Sequence, residues 1–138
     1  QGIANGDVDT ISSFHSPQDE ESKRLPFESA ASGAVGLETI LPACLRLVHD
    51  GYISLPRLFK NLSSNPAKIL NIPGGRLAKD QPADIILFDK DLPFRMDRFK
   101  LLSKSKNTPF DETTMQGKVI ATFVAGELIY KSGKRVFI

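Results

Sequence analysis

Residues 11–18 read Ile-Ser-Ser-Phe-His-Ser-Pro-Gln and residues 33–39 read Gly-Ala-Val-Gly-Leu-Glu-Thr; together they decide the fold. The β-branched pair Thr10-Ile11 favours extended backbone, which predicts a short strand over Asp9–Phe14. Pro17 and the polar residues after it predict a loop, because proline and short polar side chains favour turns. The chain is therefore expected to leave a strand, cross a long loop and enter a helix.

Three helices are predicted downstream of this loop. Leu37–His49 carries apolar side chains every three or four residues, which indicates one buried helical face. Cys44 lies on that face and is interpreted as a small core residue. Leu55–Leu62 follows Ser54 as a candidate N-cap. A third helix is predicted to begin at Asn65-Pro66, a cap followed by a first-turn proline.

The character of the sequence changes near Gly74. Strands are predicted beyond it over Ala83–Asp89, Lys118–Ala125 and Glu127–Lys131, the last two as an antiparallel hairpin. Residues 91–117 are polar and contain two prolines, so they are predicted to form a long irregular loop. The chain is accordingly divided into a helical part, residues 1–74, and a β part, residues 75–138.

Length and composition indicate an ordinary globular protein. The 138 residues are 41% hydrophobic and 25% charged, with a net charge of +2. The single cysteine allows no internal disulfide and fits a reducing compartment, so a cytoplasmic location is expected. No apolar run approaches the ~20 residues of a membrane span. The chain lacks an initiator Met, so it is expected to be a fragment of a longer protein.

One basic cluster, Lys100–Lys106, stands out from the otherwise dispersed charges. A short lysine run among serines and leucines is typical of a solvated loop, and nucleic-acid binding is the less favoured interpretation. Neither nucleic acid nor a membrane is therefore predicted as a partner.

Several separated segments resemble the C-terminal third of the dihydroorotases, metal-dependent cyclic amide hydrolases of the amidohydrolase superfamily. In that family the loop after the last barrel strand reads Asp-His-x-Pro, and here it reads Phe14-His15-Ser16-Pro17. Gly36-Leu37-Glu38-Thr39 together with Lys106-Asn107-Thr108-Pro109-Phe110 favours dihydroorotases over the related hydantoinases and allantoinases. The other matching segments are Lys23–Phe27, Asn65–Leu70, Pro82–Asp89 and Gly117–Tyr130.

The resemblance implies an α/β fold, namely the last strand and helices of a metal-dependent hydrolase (β/α)₈ barrel plus part of a small β-sandwich domain. A complete barrel takes about 250 residues, so this chain cannot close one alone. It is expected to pack against the remainder of the same protein or to form a homo-oligomer, because the missing strands would leave apolar surface uncovered.

The metal site of the family is where this chain departs from the resemblance. Family enzymes bind zinc through a His-x-His, a carboxylated lysine, two further histidines and the last-strand Asp, whose position Phe14 occupies. A phenyl ring has no lone pair for a cation and no exchangeable proton. The chain has only His15 and His49 and no His-x-His. We therefore predict no catalytic residue and no bound metal in this chain; zinc is expected only for the intact family enzyme.

Phe14 allows two interpretations. The ring could fill the space of the metal as an apolar plug. Alternatively, the alignment could be shifted so that a carboxylate of Asp19-Glu20-Glu21 serves as the ligand. The second is disfavoured because His15 and Pro17 fix the register.

Three residues are predicted to contact the substrate: His15, Gln18 and Gly33. His15 could face a ligand or make a structural hydrogen bond. Gln18 lies where many family members place a histidine that holds the substrate carboxylate; glutamine donates a hydrogen bond but carries no charge. Gly33 lies where backbone groups approach the substrate ring, or it is a turn glycine.

Three functions are compatible with the resemblance. The first is a dihydroorotase-type protein of pyrimidine biosynthesis that interconverts dihydroorotate and carbamoyl-aspartate, with this chain inactive by itself. The second is a non-catalytic homologue that is a structural partner of aspartate transcarbamoylase. The third is a hydrolase of another small cyclic amide, such as a hydantoin.

Overall fold

The computed structural model describes residues 1–132 and 134–135. Its α-helices are α1 (Gly2–Asn5), α2 (Glu20–Arg24), α3 (Ile40–His49), α4 (Leu55–Phe59) and α5 (Asn65–Ile69). A π-helical turn, Lys60–Ser64, joins α4 to α5, and a 3₁₀ turn covers Arg98–Lys100. The strands are β1 (Ile85–Arg95), β2 (Thr114–Val124), β3 (Glu127–Lys131) and β4 (Lys134–Arg135). They form one antiparallel sheet in the order β1-β2-β3-β4.

The strand predicted over Asp9–Phe14 forms no ladder within these residues. A ladder needs a neighbouring strand, and here a single parallel bridge joins His15 to Ala34. The Asn61 side-chain amide instead donates to the carbonyls of Val8, at 2.7 Å, and Asp9, at 3.0 Å. The extended segment is therefore anchored by a helix side chain rather than by a strand.

Helix α3 confirms the longest predicted helix, with a later start. Residues 37–39 form a turn, and the helix begins at Ile40. The Thr39 hydroxyl donates to the carbonyls of Val35 and Gly36, each at 3.3 Å, which holds the turn to the preceding loop. Burial raises the pKa of the Cys44 thiol on this helix, which fits its interpretation as a packing residue.

The second and third predicted helices are one continuous helical run over residues 55–69. Ser54 is the predicted cap, and its hydroxyl accepts the Arg57 N–H at 3.3 Å. Asn65 was predicted as a cap but is helical, with φ −69° and ψ −48°. Its N–H donates to the carbonyl of Lys60, one residue farther back than in an α-helix. The next residue, Pro66, has no N–H to donate. The Asn65 side chain donates instead to the Asp9 carbonyl at 2.8 Å.

The loop predicted over residues 91–117 is shorter than expected, because both of its ends are strand. Strand β1 continues through Pro93, which pairs with Gln116 of β2. Proline is tolerated there because β1 is an edge strand, where a missing ladder donor costs little. The β2–β3 hairpin is confirmed: Ala125 (φ 50°) and Gly126 (φ 86°) both have the positive φ of a type I′ turn.

Two apolar clusters hold the helices against the sheet. One contains Leu45, Ile53 and Leu58, with Phe88 of β1 packed against it. The other contains Val35, Met96, Leu101 and Met115. Each cluster joins residues from both sides of position 74, so the two parts pack directly. The division into residues 1–74 and 75–138 stays a prediction, and Gly133 and residues 136–138 of the second part lie outside the described residues.

Within the described ranges, no helix has both the length and the apolar character needed to cross a bilayer.

Candidate functional site

Two loops form the candidate site: residues 15–18 and residues 33–37. His15, in the first, is held by backbone groups of the second. Its Nδ1 accepts the N–H groups of Gly36, at 3.0 Å, and Leu37, at 3.3 Å. The structural hydrogen bond that was one of the two expectations for His15 is therefore present. Because Nδ1 is an acceptor, the proton of the neutral ring is assigned to Nε2. That N–H has no partner in the described part of the chain, so it is the group His15 can offer to a ligand.

Gly33 lies in a conformation and a space that only glycine fits. Its φ is +116°, and a Cβ at this position would lie 2.5 Å from the carbonyl oxygen of Ser16. Its own carbonyl accepts from Lys23 Nζ at 3.3 Å and from Asn107 Nδ2 at 3.0 Å. Both lone pairs of the carbonyl are thus used, which leaves the Gly33 N–H as the backbone group available to a ligand.

Gln18 is fixed at its backbone and folded back at its side chain. Its N–H donates to Asn107 Oδ1 at 3.0 Å. Its Nε2 donates to the hydroxyl of Ser16 at 3.1 Å and to the Ser16 carbonyl at 3.4 Å. In this rotamer the amide nitrogen is engaged within its own loop, so Gln18 can offer its Oε1 to a ligand.

Asn107 joins the two loops, and sequence reasoning did not single it out as a site residue. Its side chain accepts from the Gln18 N–H and donates to the Gly33 carbonyl, while its own carbonyl accepts the Val35 N–H at 2.9 Å. Gln18 lies 89 residues before it in the chain. The only signal was its place in the Lys-Asn-Thr-Pro-Phe segment, which carried the family resemblance.

Phe14 does not form the expected plug. Its side chain is 86% exposed, and its φ is +43°. It lies at the edge of a cavity of about 260 Å³ that is also lined by Ile11, Val35 and Phe110. No described residue packs over the ring, so within this part of the chain Phe14 is not a buried plug.

The residues around Phe14 do not fit a zinc ion. Nowhere in residues 1–132 and 134–135 do three His, Cys, Asp or Glu side chains lie close enough to hold a metal. Two of the three downstream carboxylates considered as substitutes are engaged elsewhere: Asp19 Oδ1 accepts the Ser22 N–H at 2.8 Å, and Glu20 pairs with Arg24 at 3.3 Å. The hydrogen bonds from Ser22 lower the pKa of Asp19, which keeps the cap ionised.

Comparisons with known proteins identify the family of the chain. Residues 21–129 match the family described as the amidohydrolase family. The chain is 43% identical over 132 residues to the dihydroorotase of Ehrlichia chaffeensis, which covers 96% of this chain and 30% of that protein. It is also 43% identical over 130 residues to the dihydroorotase of a Wolbachia from Drosophila simulans, covering 94% of this chain and 30% of that protein.

Solved structures give the same assignment of fold. The L-hydantoinase of Arthrobacter aurescens superposes with a TM-score of 0.90 and 31% identity over 99% of this chain and 32% of that chain. An inactive dihydroorotase-like domain of a Chaetomium thermophilum CAD-like multifunctional protein gives a TM-score of 0.59 at 20% identity over 75% of this chain, which shows the fold alone. The resemblance to dihydroorotases and the predicted fold class are confirmed. The chain spans about 30% of the length of these curated relatives.

Proposed function

Because this chain belongs to the amidohydrolase family, we propose that it is the C-terminal segment of a dihydroorotase-type cyclic amide hydrolase of pyrimidine biosynthesis. Its substrate would be a small cyclic amide, dihydroorotate, or carbamoyl-aspartate in the reverse direction. Identity of 43% to dihydroorotases over nearly the whole chain supports this substrate class over hydantoins. A role of this kind would place the protein in the cytoplasm.

The observation that carries the proposal is the junction at Asn107. The Asn107 side chain fixes the backbone of both Gln18 and Gly33. The loop that contains Gly33 in turn holds the ring of His15. The groups left free are the Gly33 N–H, the His15 Nε2–H and the Gln18 Oε1. These are two donors and one acceptor, which match in kind the carbonyl and N–H edge of a cyclic amide, and we propose that they face the same ligand. The loops would therefore bind and orient the ring.

Among the residues that the structure describes, no cluster of side chains can hold an ion that activates water. In the family, zinc provides that chemistry, but the residues described here do not fit the ion. We propose that the ligands for zinc belong to the intact family enzyme outside this chain, and that Phe14 occupies the position of its last-strand Asp. This chain by itself would then be inactive.

The first test is hydrolysis of dihydroorotate and cyclisation of carbamoyl-aspartate by the purified chain, with and without added zinc. The expected result is no rate above the buffer blank, because the described residues offer no metal site that would generate hydroxide at neutral pH. A hydantoin tested in parallel separates the alternative substrate class. Turnover of any of these compounds that a chelator abolishes would contradict the assignment of inactivity.

A second candidate function is favoured by Phe14 specifically. An exposed aromatic ring at the position of a metal ligand suits a non-catalytic homologue, which would be a structural partner of aspartate transcarbamoylase. Light scattering of the chain mixed with the transcarbamoylase separates the two candidates. A complex of defined mass supports the structural role, and two unchanged peaks favour a segment that packs only with the remainder of its own protein or with a second copy.

A further inference from the structure

A concave, positively charged cavity lies beside the binding loops. Its volume is about 550 Å³, within the range of small-molecule sites. Residues 18–24 form one wall, and residues 98–107 form the other. Its charged lining comprises Lys23, Arg24, Arg98, Lys104, Lys106, Asp19 and Glu20. Two lysines of the cluster interpreted from sequence as a solvated loop, Lys104 and Lys106, therefore line the same cavity as Lys23 and Arg24 from a distant segment.

Three of these cations lack a carboxylate partner. Arg24 is paired with Glu20 at 3.3 Å, and Arg98 with Asp111 at 3.3 Å. Lys23, Lys104 and Lys106 form no ion pair with any described residue. Because the protein around a cavity has a low dielectric constant, uncompensated positive charge there produces a strong local field that attracts anions.

Two of the three ammonium groups are already fixed in place. Lys23 Nζ donates to the carbonyls of Ala31, at 2.7 Å, and Gly33, at 3.3 Å. Lys106 Nζ donates to the carbonyls of Leu101, at 2.6 Å, and Ser103, at 2.7 Å. These carbonyls accept hydrogen bonds but carry no net charge, so the positive charge of each ammonium group is not neutralised. Each ammonium has three N–H donors, so each retains one for a ligand, at little further cost in side-chain entropy.

We propose that this cavity binds the phosphate of a small phosphorylated molecule. A phosphate monoester carries about −1.5 to −2 charges at neutral pH and three acceptor oxygens, which suits three ammonium groups better than one carboxylate does. Lysine binds phosphate as a point charge and needs no fork geometry. The ring of Phe99, with Arg98 4.8 Å above it, gives an apolar wall for the organic part of the ligand.

This cavity shares Gln18 and Asn107 with the loops proposed to bind the cyclic amide, but the phosphate site goes beyond that function and does not rest on it. The test is a titration of the chain with pyrophosphate that is monitored by NMR of the backbone amides. Inorganic phosphate, dihydroorotate and a single-stranded oligonucleotide are titrated separately. Lys104 is the residue to change, because it is exposed and donates no hydrogen bond that holds a loop. Lys68, exposed on α5 and outside the cavity, is the matched control.

Pyrophosphate is expected to bind saturably and more tightly than inorganic phosphate or dihydroorotate. Lys104→Ala should weaken it about threefold to fivefold, and Lys104→Glu about tenfold or more, since the charge is reversed. Lys68→Ala should leave the affinity unchanged. The proposal is overturned by the absence of saturation at about 10 mM pyrophosphate, by an equal loss in Lys68→Ala, or by tighter binding of the oligonucleotide. Turnover assays have no bearing on these outcomes.

Discussion

Gly33→Ala is expected to destabilise the chain clearly more than Gly74→Ala, although both glycines have nearly the same backbone conformation. Their φ angles are +116° and +109°. An L side chain in this region costs about 1–3 kcal/mol at either position. The difference lies in the space: a Cβ at Gly33 would meet the Ser16 carbonyl at 2.5 Å, whereas at Gly74 nothing lies within 4 Å.

The added methyl at position 33 has no flexible neighbour to displace. The group it meets is backbone, so the two loops must separate, and the bonds of the Gly33 carbonyl to Lys23 and Asn107 lengthen. We expect Gly33→Ala to lower the free energy of unfolding by about 1–3 kcal/mol more than Gly74→Ala. It should also speed amide hydrogen exchange at Gln18.

Urea unfolding of both variants measures the difference, and hydrogen exchange measured by NMR reports the loop. Gly74→Ala is the control for the cost of a positive φ alone. Equal losses in the two variants, with exchange at Gln18 unchanged, would mean that the close approach of Gly33 to Ser16 does not hold the site together.

Leu58→Ala has the largest expected effect on overall stability. Leu58 is 0% exposed and packs with Leu45 and Ile53 at the junction of the helices and the sheet. Truncation of a fully buried leucine removes its transfer free energy and leaves a cavity, at a cost of about 2–5 kcal/mol. The helical run over residues 55–69 would be held less firmly against α3.

Leu77→Ala is the matched control, since Leu77 is 80% exposed. Its effect should stay within about 0.5 kcal/mol. Thermal and urea unfolding of the two variants provide the comparison. A loss below about 1 kcal/mol in Leu58→Ala would show that the cluster containing Leu58 is not the main core.

Sequence patterns correctly predicted the helices and strands that depend on residues close together in the chain. The apolar spacing of Leu37–His49 indicated α3, and the residues around Gly126 indicated the hairpin. Asn65-Pro66 correctly indicated the start of α5, but Asn65 is not its cap. Its side chain donates to the Asp9 carbonyl, a contact that the local sequence does not reveal. Pro93 indicated a loop, whereas the structure places it in strand β1. Proline is compatible with a strand only at the edge of a sheet, and edge position is a property of the assembled sheet.

The substrate contacts of the candidate site stay a prediction. His15, Gln18 and Gly33 could be singled out because they lie in a motif that resembles a known family. The role of Asn107 could not be predicted, nor could the cavity that Lys23, Lys104 and Lys106 line together. Both depend on segments about 80–90 residues apart, about which local composition carries no information.

Zinc content after equilibrium dialysis tests most directly whether the loop at Phe14 lacks a metal donor set. The chain is dialysed against zinc, desalted and analysed for metal, with His15→Ala as the comparison variant. The predicted result is far less than one zinc per chain in both proteins. One tightly held zinc per chain that is lost in His15→Ala would contradict it.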